Sequence, residues 1–400
     1  MASASVVLAE SQIVERDAQP AKVFFPNLDG LRFFAFFLVY LQHGFGGAFS
    51  IDENQRGALR LVRNAIFESG WAGVSFFFVL SGFLITYLIL AEIKLKGKVD
   101  VLAFYTRRVL RIWPLYYVVI LFGFVGYPFL KSLLGFSSHV EAGNPLYYLL
   151  FLGNFDVIHL GAGHGALITN ITWSVAIEEQ FYLCWPLIFF LLPARAYKYV
   201  FPVIILVSGL FRFHNLQDGM VVYFHSLSVI SDMAVGGLTA YLAINSERFK
   251  QLFAGLSRSL ILAIYCLGFS VLILREYIFA GPVPATLDRL VCSLFFAFIL
   301  TEQNYSERSP FKIRRLRLIS KLGIYTYGLY LIHPIAITLL TGGLKAMSTS
   351  QVSTAAGVAV GVVGLALTVT LSYISYERFE KRFLGLKQRF SYVLSGAQSG

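Results

Sequence analysis

The feature that most restricts this chain is a recurrence of nearly uninterrupted apolar runs, each about 18–22 residues long, between residues 33 and 376. A run of that length matches the hydrocarbon thickness of a bilayer. Spans are expected near 33–50, 70–91, 112–131, 173–192, 199–214, 222–244, 259–279, 286–303, 322–343 and 355–376. With 57% of its 400 residues hydrophobic and 14% charged, the chain leaves no stretch for a separate water-soluble core. The expectation is an all-α polytopic integral membrane protein of about ten transmembrane helices, with a disordered tail over 1–26, a membrane domain over 27–383 and a short tail over 384–400.

Ten crossings place both termini on one side. The basic clusters Lys94, Lys96 and Lys98, then Arg107, Arg108 and Arg111, then Lys312, Arg314, Arg315 and Arg317, then Arg378, Lys381 and Arg382 all fall on that side, which the positive-inside rule makes cytoplasmic. The net charge of +11 therefore reflects topology, with membrane lipid and not nucleic acid as the partner. The N-terminal stretch has no secretory signal pattern. Cys184, Cys266 and Cys292 lie far apart in apolar runs, so no disulfide or metal site is expected. Residues 145–155, "PLYYLLFLGNF", are too short to cross and read as a re-entrant or interfacial segment. Residues 153–172 form the longest polar interruption between spans, and 52–66 read as an amphipathic surface helix.

Ionisable side chains inside a bilayer are costly and usually mark a site. Arg32 and His43 are eleven residues apart, which at 100° per residue puts them on one helical stripe. Their axial offset is about 16 Å at a rise of 1.5 Å per residue. The pair reads either as an anchor and a satisfied interior histidine or as one wall of a channel. In "NITWSVAIEEQFYLCWPL", Glu178 and Glu179 enter the apolar run and one of them needs a partner. A pair between His43 and Glu178 at similar depth is the expectation, since it would hold the imidazole in one tautomer for general-base work on a hydroxyl. Arg108 and Arg111 share a face at i, i+3, which suits either a topological anchor or a bidentate grip on phosphate. Spacing does not decide between these. Ser81, Asp232 and His333 are further polar residues near mid-membrane; Asp232 must be protonated or paired. Asp29 is expected to cap the first helix. The same buried groups would also serve a proton-coupled secondary transporter, the alternative function class.

Five motifs in order resemble the membrane-bound acyltransferase family 3, bacterial O-acyltransferases of sugars and polysaccharides. "LDGLRFFAFFLVYLQH" carries the family's arginine, ten residues, histidine signature as Arg32 and His43. "GVSFFFVLSGFLIT" and "FYTRRVLRIWPLYY" match the second-span and R-x-x-R elements, the latter as Arg108 and Arg111. "ITWSVAIEEQFYLCWPL" matches the block that holds Trp173 and Glu178, and "YTYGLYLIHP" the element near the C-terminus with His333. The resemblance implies transfer of an acyl, most often acetyl, group from cytoplasmic acyl-CoA to a hydroxyl of a carbohydrate or lipid-linked saccharide at the outer face of a bacterial inner membrane. Acetyl-CoA or another acyl-CoA would be a co-substrate, with no permanently bound cofactor. His43 and Glu178 would be catalytic, His43 either deprotonating the acceptor hydroxyl or taking the acyl group itself before passing it on; Arg32, Arg108 and Arg111 would hold the donor, and Ser81, Trp173, Asp232 and His333 would bind substrate. Two features depart from the family. Arg382 stands where a proline often follows the last span, and the sequence ends soon after that span, where some members carry an esterase-like domain.

Overall fold

The computed structural model describes residues 21–23, 25–49, 58–135, 143–161, 167–347, 353–390 and 393–395. In chain order it contains strand β1 (Ala21–Val23) and helices α1 (Leu28–Phe45), α2 (Ala58–Phe67), α3 (Gly70–Lys96), α4 (Val101–Leu121) and α5 (Tyr127–Leu133). Short helices α6 (Pro145–Leu149), α7 (Gly153–Leu160) and α8 (Leu167–Asn170) lead to α9 (Trp173–Leu191), α10 (Tyr197–His214), α11 (Gly219–Phe224) and α12 (Ser226–Asn245). Then come α13 (Glu247–Gly255), α14 (Arg258–Ile273), α15 (Arg275–Ile278) and α16 (Pro282–Tyr305). The chain closes with α17 (Arg317–Ile324), α18 (Thr326–Met347), α19 (Thr354–Ser375), α20 (Lys381–Gln388) and strand β2 (Val393–Ser395).

Eight of the described helical segments are long and apolar enough to cross a bilayer, and α13 with α14, bent by 94°, makes a ninth if counted as one span. At 18 residues, α1 is not among the eight, because Asp29, Arg32, Gln42 and His43 interrupt its apolar run. With α1 the expected count of about ten is met. The short segment behaves as expected: α6 and α7 are separated by a break at which Phe151 takes a left-handed φ of 55°. Its carbonyls are satisfied by protein, the Tyr116 hydroxyl donating to Tyr148 O at 2.8 Å and Gln180 Nε2 to Phe151 O at 2.8 Å. Residues 58–67 form the expected helix, whereas 52–57 and 162–166 lie outside the described residues.

The centre of the bundle is α3 crossing α12. A Cβ on Gly82 would collide with the Met233 carbonyl and one on Gly236 with the Val79 carbonyl, so two glycines let the backbones touch. Gly236→Val is expected to destabilise the bundle by about 1–3 kcal/mol through overpacking, read as a lowered midpoint of thermal unfolding in detergent. The start of α1 is held by Asn27, which donates to Gln303 O at 2.6 Å and accepts from Arg314 N at 3.1 Å.

Strands β1 and β2 pair in parallel, Ala21 opposite Val393, so residues 21–23 and 393–395 meet at one end of the bundle, here termed the terminal end. Part of each expected tail is thus structured; residues 1–20 and 396–400 lie outside the described residues. With Arg382 in place of a proline nothing stops the helix after the last span, and α19 continues through a π-turn at Tyr376–Glu380 into α20.

Candidate active site

A cavity of about 110 Å³ lies inside the bundle. Its walls come from α3, α4, α9, α18 and the end of α17 (Gly323 and Ile324), and α1 contributes only Arg32. At the terminal end it is bounded by Arg32, Arg108 and Arg111, and further in by Ser81, Glu178, Tyr182, Ser174 and Tyr330.

Three arginines of α4 have different tasks. Arg107 is tied to Glu92 at 2.9 Å and donates to Phe390 O at 2.7 Å, so it anchors the fold. Arg108 and Arg111 face the cavity. The Arg108 guanidinium is buried between the rings of Phe104 and Tyr182, 5.7 Å from each centroid, and its Nε meets no acceptor among the described residues. Arg32 forms an ion pair with Asp29 at 3.0 Å. Asp29 therefore does not cap α1: Asn27 holds the N-cap position, and Asp29 sits in the first turn, one i, i+3 step from Arg32.

The expected pair between His43 and Glu178 is not formed. Glu178 accepts from Ser81 Oγ at 2.6 Å and from the Tyr182 hydroxyl at 3.3 Å, and Glu179 accepts from Trp113 Nε1 at 2.9 Å. His43 Nδ1 instead lies 3.0 Å from His333 Nε2, the two rings stacked at 13° with centroids 5.2 Å apart. The reason is the packing order: α1 rests on α3, α17, α18 and α19, whereas α9 rests on α3, α4, α7 and α12, and α18 stands between them. Tyr330 on α18 bridges the gap, its hydroxyl 2.7 Å from Ser174 Oγ and its ring 5.8 Å from that of His333. His43 itself is not part of the cavity wall.

The contacts of His333 fix a tautomer. His333 Nδ1 lies 3.2 Å from the Leu329 carbonyl, which only accepts, so Nδ1 carries the proton and Nε2 is an acceptor. His43 Nδ1–H then donates to it, and the lone pair of His43 resides on Nε2. Pro334, which has no N–H for the preceding turn, loosens α18 where this histidine bonds back. Sequence reasoning placed His333 among substrate ligands and missed it as the partner of His43; the adjacent proline and the Tyr330 to His333 spacing were the available signals.

Two other expected substrate residues lie elsewhere. Trp173 packs against Phe78, Tyr223 and Phe224 and is absent from the cavity wall. Asp232 is paired as required, its Oδ2 lying 2.7 Å from Arg289 Nη2 with both residues buried. Ser81 lines the cavity beside Glu178.

Fold and cavity define a polytopic membrane protein with arginines and a glutamate lining a cavity among its helices. Residues 25–377 match the family described as acyltransferase domain, and the chain belongs to that family. It is 25% identical over 352 residues to peptidoglycan O-acetyltransferase OatA of Listeria monocytogenes, covering 83% of this chain and 52% of that protein. Against O-acetyltransferase OatA of Staphylococcus aureus it is 26% identical over 379 residues, 89% of this chain and 57% of that one. A putative peptidoglycan O-acetyltransferase, YrhL of Bacillus subtilis, is 32% identical over 172 residues, 41% of this chain and 23% of its own length. The chain thus spans a little over half the length of the two OatA proteins. No solved structure matches it. The family is one of transferases, and the transporter alternative finds no support in these matches.

Proposed function

We propose that the protein is a membrane O-acetyltransferase that receives the acyl group of acyl-CoA at the terminal end, the cytoplasmic side, and passes it to a saccharide hydroxyl at the opposite face. The observation that carries this reading is a cavity with Arg32, Arg108 and Arg111 at its terminal end and, at Tyr330, a wall that touches the histidine pair. Guanidinium groups match phosphate oxygens in geometry and charge, so the three arginines suit the phosphates of the donor. The apolar lining residues Phe77, Leu84 and Ile85 suit its pantetheine arm.

His43 Nε2 takes the proton of the acceptor hydroxyl, and the oxygen attacks the thioester carbonyl carbon. The carbon–sulfur bond breaks, the ester forms on the acceptor, and the leaving thiolate takes the proton back from the His43 imidazolium. His333 holds the His43 ring through Nδ1 and stabilises the imidazolium that forms, the task sequence reasoning gave to Glu178. Glu178, held by Ser81 and Tyr182, sets the polarity of the cavity where the thioester arm passes.

The named function of the relatives supports a saccharide of the peptidoglycan type as acceptor. The test is mass spectrometry of cell-surface saccharides from cells with and without the gene. An acetyl-sized increment lost with the protein and restored on complementation is expected; an unchanged saccharide profile would overturn the reading.

A further inference from the structure

A second cluster of buried charge lies at the end of the bundle opposite the paired strands. It joins Arg212 near the end of α10, Asp232 in α12, Arg275 at the start of α15, and Asp288 and Arg289 in α16, all within electrostatic reach of Arg212. Arg275 is satisfied by Asp288, its Nε 2.8 Å from each carboxylate oxygen. Arg212 donates to Val222 O, Ser228 Oγ and Ala285 O, yet its Nε has no partner among the described residues. Arg289 Nη2 is ion-paired with Asp232 Oδ2 at 2.7 Å, and its Nε meets no acceptor among the described residues. Arg212 is 5% and Arg289 7% exposed. Among the described residues, three guanidinium groups face two carboxylates, an excess of one positive charge at a place where Arg212 and Arg289 are buried, and the Nε–H donors of both meet no described acceptor. A fold bears that cost poorly unless an anion completes it.

The rings around the cluster narrow the class of anion. The Arg275 guanidinium lies 4.0 Å from the centroid of Trp71, which is half-buried. Tyr223, also half-buried, is within electrostatic reach of Arg275 and Arg289 and packs against Trp173 at 5.4 Å. Partly exposed aromatic faces beside guanidinium forks suit a ligand that is apolar on one face and anionic at one substituent, which describes a pyranose bearing a carboxylate. The cluster also adjoins the cavity. Phe78 lines that cavity and carries the Arg289 guanidinium 5.9 Å from its ring centroid.

We propose that Arg289, Arg212 and the rings of Tyr223 and Trp71 form an acceptor site that binds the carboxylate of an acidic saccharide, holding its hydroxyl toward the cavity. The proposal rests on the saccharide-acceptor reading above and adds the acceptor's charge and where it is held. In this arrangement Trp173 backs Tyr223 and Asp232 holds Arg289.

The test uses the full chain in phosphatidylcholine nanodiscs and a disaccharide of N-acetylglucosamine and N-acetylmuramic acid, as the free acid and as its methyl ester. Binding is measured by calorimetry, without turnover. The free acid is expected to bind about ten-fold more tightly than the ester, the worth of one charge-assisted fork. Arg289→Lys, which keeps the charge but loses the fork, is expected to abolish that preference. Arg275→Gln, at a half-exposed position, is expected to reduce it, and thermal unfolding checks that each variant is folded. Equal affinity of acid and ester for the wild type would overturn the proposal. So would displacement of both forms by added phosphatidylglycerol, which would assign the cluster to lipid headgroups. Acetyl-CoA binding, measured in parallel, separates the two readings: its absence would count against the donor assignment, while the acid-to-ester ratio alone decides this site.

Discussion

His43→Ala is expected to lower acyl transfer by about 10²–10⁴-fold, the range that a positioned general base supplies, while the folded bundle stays intact. His43 is only partly buried, and among the described residues its polar partner is His333, so removing the ring costs the fold little. The catalytic loss should be large because, among the described residues, no other imidazole with a free Nε2 stands at this point of the bundle: the His333 Nε2 is already occupied by His43. His333→Phe is expected to cost less, about ten-fold, since it frees His43 to take either tautomer without removing the base. A positioning role should also move the pH–rate profile of that variant, which a merely structural role would not do. Rates are measured with acetyl-CoA in detergent micelles, and full activity of His43→Ala would end its assignment as base.

Arg108→Ala combined with Arg111→Ala is expected to weaken acetyl-CoA binding by about 10–100-fold, since hydrogen bonds to a charged group contribute about 1.5–3 kcal/mol. Acceptor binding should be unchanged. Arg107→Ala is the contrasting variant. Its guanidinium is bound to Glu92 and to the Phe390 carbonyl and is absent from the cavity wall, so its loss should lower stability by about 3–5 kcal/mol and leave donor affinity alone. Calorimetry with acetyl-CoA and thermal unfolding of the same samples separate the two outcomes. A donor affinity unmoved by the double substitution would return Arg108 and Arg111 to the role of topological anchors.

The membrane architecture was legible because apolar run length is a local property. Even α1, whose polar residues take it below the composition of its neighbours, was placed by its apolar interior from Phe33 to Leu41. Depth along a helix was legible for the same reason: Arg32, Ser81, Arg108, Arg111 and Glu178 all line one cavity. What the sequence did not carry was the order in which helices stand around that cavity. His43 and Glu178 can share a depth and still be parted by α18, whose Tyr330 and His333 fill the space between. The stripe from Arg32 to His43 fails as a channel wall on similar grounds. Phe36 and Tyr40, between them, pack their rings against His333, so from α1 only Arg32 reaches the cavity. Asp29 was within reach of sequence reasoning, since its i, i+3 spacing to Arg32 is the signature of an ion pair on one helix.

The central claim is that the cavity brings a donor from the terminal end up to Tyr330, behind which the histidine pair serves an acceptor from the opposite side. It is tested most directly in proteoliposomes of known protein orientation, with acetyl-CoA labelled in its acetyl group supplied only at the terminal end and an N-acetylmuramic acid-containing saccharide only at the other. The account predicts label in the saccharide with the wild type and none above background with His43→Ala. Label that appears only when donor and acceptor share one compartment, or that persists in His43→Ala, would contradict it.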